Sequence, residues 1–271
     1  MKNEQEAALT VSYPVQKFMN GAVHDALESV AREVPLTVSI NGVEFATLVC
    51  TPSDRRELVI GFLASEGIIR KAAEIADLTF NDSQGYAYVQ LTRDVSGQLE
   101  KSNRRFIGSC CGKSRQFYFQ SDAETARTVL TITKISVQQC FQLMNDLSDQ
   151  SQTFKETGGV HNAAFCHPNR IIAVRTDIGR HNALDKLYGF ILAHRVSIKE
   201  GVIAFSGRIS SEVVLKVAKM GIGLLLSKSA PTDLALKLAS DLNITVIGFI
   251  RGERLNIYTH PERLTGGFVD Q

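Results

Sequence analysis

The residues best equipped for chemistry are two adjacent cysteines, Cys110 and Cys111, in Phe106-Ile107-Gly108-Ser109-Cys110-Cys111-Gly112-Lys113-Ser114-Arg115. Arg104, Arg105, Lys113 and Arg115 stand beside them in sequence. Neighbouring cations favour the thiolate over the thiol and make the sulfur nucleophilic. Gly108 and Gly112 add backbone freedom, which suits a loop that moves. The predicted chemistry is that of a nucleophile or a sulfur-relay thiol. The plain alternative is two unreactive thiols in a turn. No second Cys or His pair follows at zinc-finger spacing, so no metal site is expected. Cys50, Cys140 and Cys166 are scattered, and five cysteines in 271 residues do not describe a disulfide scaffold.

A second set of candidate residues is cationic. Four segments place Gly or Ser next to a cation: Thr176-Asp177-Ile178-Gly179-Arg180-His181-Asn182, Ser206-Gly207-Arg208-Ile209-Ser210-Ser211, Ser227-Lys228-Ser229-Ala230-Pro231-Thr232 and Arg251-Gly252-Glu253-Arg254. None is a Walker loop or a GxGxxG fingerprint. If the fold brings them together, they predict a site for phosphate or pyrophosphate. The alternative is four ordinary turns with solvated cations, although turns favour Gly and Ser rather than Arg. His181 reads equally as a helix-start donor, a general acid or a structural residue. Glu156-Thr157-Gly158-Gly159-Val160-His161-Asn162-Ala163-Ala164 reads either as a close backbone approach to a ligand or partner, or as a tight turn entering a strand.

The elements that must position these residues follow from spacing. Leu36–Ile40 and Val43–Cys50 read as strands joined by an Asn41-Gly42 hairpin turn. Thr51-Pro52-Ser53-Asp54 opens a helix, with Thr51 as its cap, Leu58, Phe62 and Leu63 on its apolar face and Gly67 at its end. Strands follow around Asp77–Phe80 and Tyr86–Leu91. Ser136 and Gln139 form a capping box for a helix that buries Cys140. Cys50 and Cys166, at strand ends, also read as structural.

From residue 170 onward strands and helices alternate. Strands are predicted over Arg170–Val174, Gly201–Phe205, Gly223–Leu226, Ile244–Ile250 and Leu255–Tyr258, with helices over His181–His194, Ser210–Met220 and Thr232–Leu242. The alternation predicts βαβ units and a largely parallel sheet. Ligands of open α/β sheets bind beyond the carboxyl ends of the strands. All four cationic segments follow a strand there, and helix N-termini add amide donors. The chain divides into a smaller α+β domain, residues 1–130, carrying the cysteine loop near its end, and an α/β domain, residues 131–271.

Charge follows the same division. Residues 1–150 carry 15 basic and 18 acidic residues, net −3, whereas residues 151–271 carry 15 and 10, net +5. The excess suits a local anion site and is too small for a general nucleic-acid binder. With 44% hydrophobic and 21% charged residues the composition is that of an ordinary globular protein. No apolar run approaches the ~18 residues of a membrane helix, and the first residues hold no apolar signal core. A soluble cytoplasmic protein with reduced thiols, off the membrane, is the expectation.

In combination these blocks resemble the FdhD family of sulfur carriers needed for formate dehydrogenase activity. The resemblance runs from Glu33-Val34-Pro35-Leu36 to Pro261. It rests on Glu57-Leu58-Val59-Ile60-Gly61-Phe62-Leu63, Ser65-Glu66-Gly67-Ile68-Ile69, Thr157-Gly158-Gly159-Val160-His161, Asp177-Ile178-Gly179-Arg180-His181-Asn182-Ala183-Leu184-Asp185-Lys186, Phe205-Ser206-Gly207-Arg208 and Ser227-Lys228-Ser229-Ala230-Pro231-Thr232. It implies an α/β fold with a cytidine-deaminase-like three-layer C-terminal domain and a smaller α+β N-terminal domain, and a homodimer. It implies a sulfurtransferase-like carrier in which a cysteine accepts sulfur as a persulfide from a cysteine desulfurase. The sulfur then passes to the molybdenum bis(molybdopterin guanine dinucleotide) cofactor, bound as cargo, before that cofactor enters formate dehydrogenase. Guanosine diphosphate (GDP) would mimic the nucleotide arm. The family's cofactor segment maps onto Phe249-Ile250-Arg251-Gly252-Glu253-Arg254, joined by Arg180, His181, Ser206, Gly207, Arg208, Ser227, Lys228 and Ser229.

One departure bears on the cysteines. Many family members carry Cys-Gly-x-Cys-Gly where this chain has Cys110-Cys111-Gly112-Lys113-Ser114. Aligned without a gap, Ser114 replaces the second thiol; aligned on the second Cys-Gly, Gly108 stands at the first. Either register puts Cys111 on a family cysteine and makes it the expected persulfide carrier, with Cys110 as a resolving or accessory thiol. Zinc-deaminase chemistry is not expected, because His161-Asn162-Ala163 lacks the Glu of H-x-E and no P-C-x-x-C is present. A non-catalytic chaperone that only holds and delivers the guanine-dinucleotide cofactor is the alternative activity.

Overall fold

The computed structural model describes residues 9–95, 97, 105–107 and 126–266. Cys110 and Cys111 lie outside the described residues. The chain opens with β1 (Thr10–Met19) and β2 (Ala22–Ala31), a hairpin that sequence spacing did not predict. Its turn is Asn20-Gly21, with φ of 53° and 82°. Two positive φ values in a two-residue turn match the twist of the strands they join.

A five-stranded sheet follows, in the order β5-β6-β3-β4-β7. It is built from β3 (Val34–Ile40), β4 (Val43–Cys50), β5 (Ile75–Asn81), β6 (Tyr86–Leu91) and β7 (Arg105–Ile107). The predicted Asn41-Gly42 turn joins β3 to β4. β7 adds to β4 in parallel, setting Ile107 opposite Leu48. Helix α1 (Arg55–Ser65) leaves β4, and Gly67 at φ 73° ends it as expected, with the Ile68 amide returning to the Leu63 carbonyl. Thr51 is not its cap. That position falls to Asp54, whose side chain makes no cap bond, because the Thr51 side chain is drawn instead into a buried node described below.

The second half begins with β8 (Ile135–Ser136), α2 (Val137–Asp149) and α3 (Gln152–Thr157). Ser136 and Gln139 close the predicted capping box. The main sheet holds β9 (His161–His167), β10 (Arg170–Asp177), β11 (Val202–Phe205), β12 (Leu224–Ser227), β13 (Thr245–Arg251) and β14 (Arg254–Ile257), in the order β10-β9-β11-β12-β13-β14. Helices α4 (Arg180–Ala193), α5 (Ser211–Met220) and α6 (Asp233–Asp241) connect its strands, and a short β15 (Leu264–Thr265) pairs with β8. The sheet is mixed rather than largely parallel. Only β11, β12 and β13 pair in parallel, while β9 runs against β10 and β11, and β14 against β13. The reason is local: β9–β10 and β13–β14 are hairpins closed by a few residues, and a short connection can join only antiparallel neighbours.

Alternation along the strands makes three layers. Val202, Ala204, Leu224, Leu226, Ala164 and Cys166 pack with Cys140, Leu143, Met144 and Leu147 of α2. Ile203, Phe205, Leu225 and Phe165 face the opposite way, toward Leu184 and Leu187 of α4 and Val213 and Val217 of α5. That second cluster continues without a break into Leu36, Leu48, Leu58 and Leu63 of the first half. The seam is the crossing of α1 on α4, where a Cβ on Gly61 would lie 1.7 Å from the Asp185 carbonyl oxygen and one on Gly189 would lie 1.9 Å from that of Glu57. Only glycine permits so close a crossing.

Candidate functional site

The carboxyl ends of β10, β11, β12 and β13 lie along one edge of the main sheet, together with the amino ends of the antiparallel β9 and β14. Topology therefore brings the four cationic segments to one edge. His161, the first residue of β9, joins them; it stands in the Gly-rich segment that the sequence left open between ligand approach and turn.

Buried polar groups hold that edge in place. Asp177, at the end of β10, is fully buried. Its Oδ1 accepts from the Gly179 amide at 2.8 Å and from Asn182 Nδ2 at 3.0 Å, while its Oδ2 accepts from the Thr51 amide and hydroxyl, each at 3.0 Å. Lys186, equally buried, sits 2.8 Å from Asp177 Oδ2 and also donates to Thr51 Oγ1 at 2.6 Å and the Thr176 carbonyl at 3.0 Å. Asp185 of the same helix pairs with Lys216 and accepts from Ser65 Oγ at 2.6 Å. The run Asp177 to Lys186 thus divides by role. Asp177, Gly179, Asn182, Asp185 and Lys186 build the node and the helix seam, and Arg180 and His181 are left at the rim.

The neighbouring loops are stapled by their serines. Ser206 Oγ accepts from the Asn162 amide at 2.9 Å, Ser227 Oγ donates to the Gly207 carbonyl at 2.8 Å and accepts from the Ser229 amide, and Ser229 Oγ donates to the Ser206 carbonyl at 3.1 Å. These hydroxyls fix loop geometry, and Ser227 is wholly buried. Gly207 is needed because a Cβ there would lie 2.8 Å from the Phe205 ring and 3.4 Å from Arg180 Cβ.

Two cationic groups result. In one, Arg180, His181 and Arg208 surround His161; its burial first, then these charges, push its pKa below the ordinary 6.5. His181 Nε2 lies 2.9 Å from Glu212 Oε2 on α5. In the other, Arg251 Nε donates to the Lys228 carbonyl at 3.0 Å, and Arg254 is Arg251's partner across the β13–β14 hairpin. Burial and the Arg251 charge lower the Lys228 pKa, and its amine donates to Ser148 Oγ on α2.

Backbone donors add to the charge. The caps of α4 and α5, Gly179 and Ser210, make no side-chain cap bond, and helix N-termini favour anions. Ser210 Oγ is buried and has no hydrogen-bond partner among the described residues. Thr232, in contrast, caps α6 through the Ala235 amide. At the end of β13, Phe249 adopts φ 52° and is 40% exposed, and Gly252 at φ 55° turns the chain into β14. A left-handed aromatic residue is a strained arrangement of the sort that gathers at ligand sites. Ile250 is buried in the core, whereas Arg251, Gly252, Glu253 and Arg254 are exposed.

The arrangement can hold an extended polyanion carrying a flat ring system. Cations stand in two groups along the edge, two helices begin there, and Phe249 is exposed beside them. The sequence reading did not count His161, Ser210 or Glu212 among the site residues, although His161 and Ser210 stand in segments it singled out. Only the return of β9 antiparallel to β11 reveals His161 as a neighbour. Among the described residues no group of His, Cys, Asp and Glu could hold a metal ion, and no helix is long and apolar enough to cross a membrane.

The remaining cysteines are buried, Cys50 beside the Asp177–Lys186 node. Cys50, Cys140 and Cys166 are buried and unpaired, and burial pushes each thiol up to about 12.

Comparison with known proteins agrees with this architecture. The family model described as FdhD/NarQ matches residues 31–265. The protein named sulfur carrier protein FdhD in Geobacillus kaustophilus is 52% identical over 94% of this chain and 97% of its own length, and that of Bacillus subtilis 51% over 94% and 98%. Its namesake in Halalkalibacterium halodurans is 56% identical over 88% of each chain. A crystal structure from Desulfotalea psychrophila, described as a formate dehydrogenase accessory protein, superposes with a TM-score of 0.78 at 26% identity, covering 95% of this chain and all of that one. A cationic strand-end edge, a buried node behind it and matches over nearly the whole chain lead to one conclusion: this chain belongs to the FdhD/NarQ family.

Proposed function

We propose that the chain is a cytoplasmic sulfur carrier serving formate dehydrogenase, in which Cys111 holds the sulfur and the strand-end edge holds the cofactor that receives it. In the loading step the Cys111 thiolate attacks the outer sulfur of a desulfurase persulfide. A Cys111 sulfur–sulfur bond forms, the desulfurase sulfur–sulfur bond breaks, and the desulfurase cysteine leaves as its thiolate. The cargo is the molybdenum bis(molybdopterin guanine dinucleotide) cofactor. Its pyrophosphates suit Arg180, Arg208, Arg251 and the amino ends of α4 and α5, and its ring systems suit Phe249. The three-layer second half is in keeping with a cytidine-deaminase-like fold.

The observation that carries this reading is the course of β7. It runs parallel to β4, its last residue, Ile107, lies opposite Leu48, and β4 ends at Cys50, one residue before Thr51, which is bonded to Asp177 at the cationic edge. Cys111 is four residues beyond Ile107, a span of at most about 14 Å. The cysteine pair therefore enters the sequence within reach of that edge.

Incubation with a cysteine desulfurase and L-cysteine, followed by intact-mass measurement, tests the proposal. A gain of one sulfur that disappears in Cys111→Ala is expected. No gain, or a gain that persists in Cys111→Ala, rejects Cys111 as the carrier. A Cys111→Ala chain that still supports formate dehydrogenase, with support lost in Arg251→Ala, would identify a cofactor chaperone instead.

A further inference from the structure

Residues 126–134 run into β8 without a turn or bend. Burial alternates along the last of them: Val129 and Thr133 are buried, whereas Leu130, Ile132 and Lys134 are exposed, the pattern of an extended chain. One edge of this chain is pinned to the body. The Val129 amide donates to the Leu242 carbonyl at 3.0 Å, the Val129 carbonyl accepts from Asn243 Nδ2 at 2.7 Å, and the Thr131 carbonyl accepts from Arg263 at 3.3 Å. A Cβ on Gly223 would lie 2.0 Å from Thr131 Cγ2, so the approach to β12 leaves room for this segment only because it is glycine. Successive residues of an extended chain turn their backbone groups to opposite edges. The amides and carbonyls of Leu130 and Ile132 therefore point away from these bonds, and none of them is hydrogen-bonded among the described residues.

The free edge is rigidly held and uncovered. Leu130 and Ile132 are 88% and 92% exposed, the highest values of any large apolar residue described. Their segment forms a wall of a groove of about 790 Å³ that Val196, Ile198 and Gly221 also line. The groove lies where β11 and β12 begin, at the end of the main sheet away from the cationic edge. An open strand edge is a template for another strand, and exposed apolar side chains beside it mark a contact surface. Charge narrows the choice of partner. Lys134 and Lys199 line the groove with no ion pair among the described residues, against a single acid, Glu200. Juxtaposed like charges suppress wrong partners, and opposite charges steer the right one. A second copy would bring the same two ammonium groups to the contact, whereas a segment bearing carboxylates neutralises them.

We infer that residues 130–134 are a docking edge at which an extended, acidic segment of a partner protein adds as a strand, its apolar side chains on Leu130 and Ile132 and its carboxylates toward Lys134 and Lys199. Five residues paired there span about 17 Å. Selection of a phage-displayed library of random 12-residue peptides on the full chain tests it. The enriched sequences are expected to alternate apolar residues and to carry Asp or Glu. The best of them, as a free labelled peptide, is expected to bind about 10-fold more weakly to Lys134→Glu with Lys199→Glu, and by a similar factor to Ile132→Pro, which lacks the amide. All three positions face solvent, so the circular dichroism of both variants is expected to stay native. In hydrogen exchange the Leu130 and Ile132 amides are expected to be fast in the free chain and slowed about 10-fold by saturating peptide, a protection that docking through side chains alone would not give. A library that enriches no such sequence overturns the inference, as does a peptide that both variants bind undiminished or one that leaves the two amides fast. A photo-crosslinking residue at position 130 that links only to a second copy of the chain overturns it too. Sulfur loading of Cys111 is a separate readout, so either proposal can fail without the other.

Discussion

Gly61 of α1 and Gly189 of α4 form a reciprocal notch: a Cβ on Gly61 would lie 2.7 Å from the Gly189 amide nitrogen, and one on Gly189 would meet the Glu57 backbone one turn before Gly61. Each helix uses the missing side chain of the other to approach. Gly61→Ala must therefore push the helices apart and open the core along Leu58 and Leu184. The expected cost is about 3 kcal/mol, read as a lowered urea midpoint, and an unchanged midpoint would disprove the notch.

The Asp177–Lys186 pair makes a different prediction. Both residues are wholly buried, and removing one partner strands the other's charge. Lys186→Met should cost about 3–5 kcal/mol in chemical denaturation. The double change Asp177→Asn with Lys186→Met should recover part of that loss, which a double-mutant cycle measures.

Arg208 is exposed at the rim and lies close enough to His161 to influence its charge. Arg208→Ala should weaken GDP binding about 10-fold, the usual worth of one charge-assisted contact, with an unchanged thermal midpoint. Titration calorimetry at two salt concentrations checks both the loss and a shallower salt dependence.

His161 gives a pH dependence. Burial, then Arg180, His181 and Arg208, hold its pKa below 6.5 in the folded chain, whereas the unfolded chain titrates near 6.5. Between the two values the unfolded state binds more protons, so stability falls as pH drops below about 6.5. His161→Gln should lose less stability than the native chain between pH 7 and pH 5.5 in thermal melts.

The buried thiols supply a labelling test. With pKa values pushed up to about 12, Cys50, Cys140 and Cys166 carry almost no thiolate at pH 8. Peptide mapping after iodoacetamide treatment of the native protein should find these three unmodified, and modified only once denaturant is added.

Much of this was written in local spacing. The Ser136–Gln139 box, the Asn41-Gly42 turn and the strand–helix alternation after Arg170 are decided by neighbours a few residues apart, and the structure has them where the sequence puts them. The gathering of Arg180, Arg208, Lys228, Arg251 and Arg254 at one edge followed from the rule for strand ends. What failed to show locally depends on distant partners. Thr51 has the chemistry of a cap but is held by a carboxylate 126 residues away. The strand direction of β9 and the hairpin of β1 and β2 lack a periodic apolar face that would have announced them; the hairpin is apolar on both sides.

The Thr51–Asp177 bond has one more consequence. The same carboxylate that orients Gly179 at the mouth of α4 anchors the end of the strand on which β7 lies. Beside the α1–α4 crossing, this buried bond is a further point that joins the two halves, and it fixes the distance between the end of β7 and the cationic rim. Residues inserted beyond Ile107 would leave that distance unchanged. A single residue inserted between Leu48 and Thr51 would shift the end of β7 relative to the rim, and under the proposed sulfur-carrier role it would change the reach of Cys111 without touching a cysteine or an arginine.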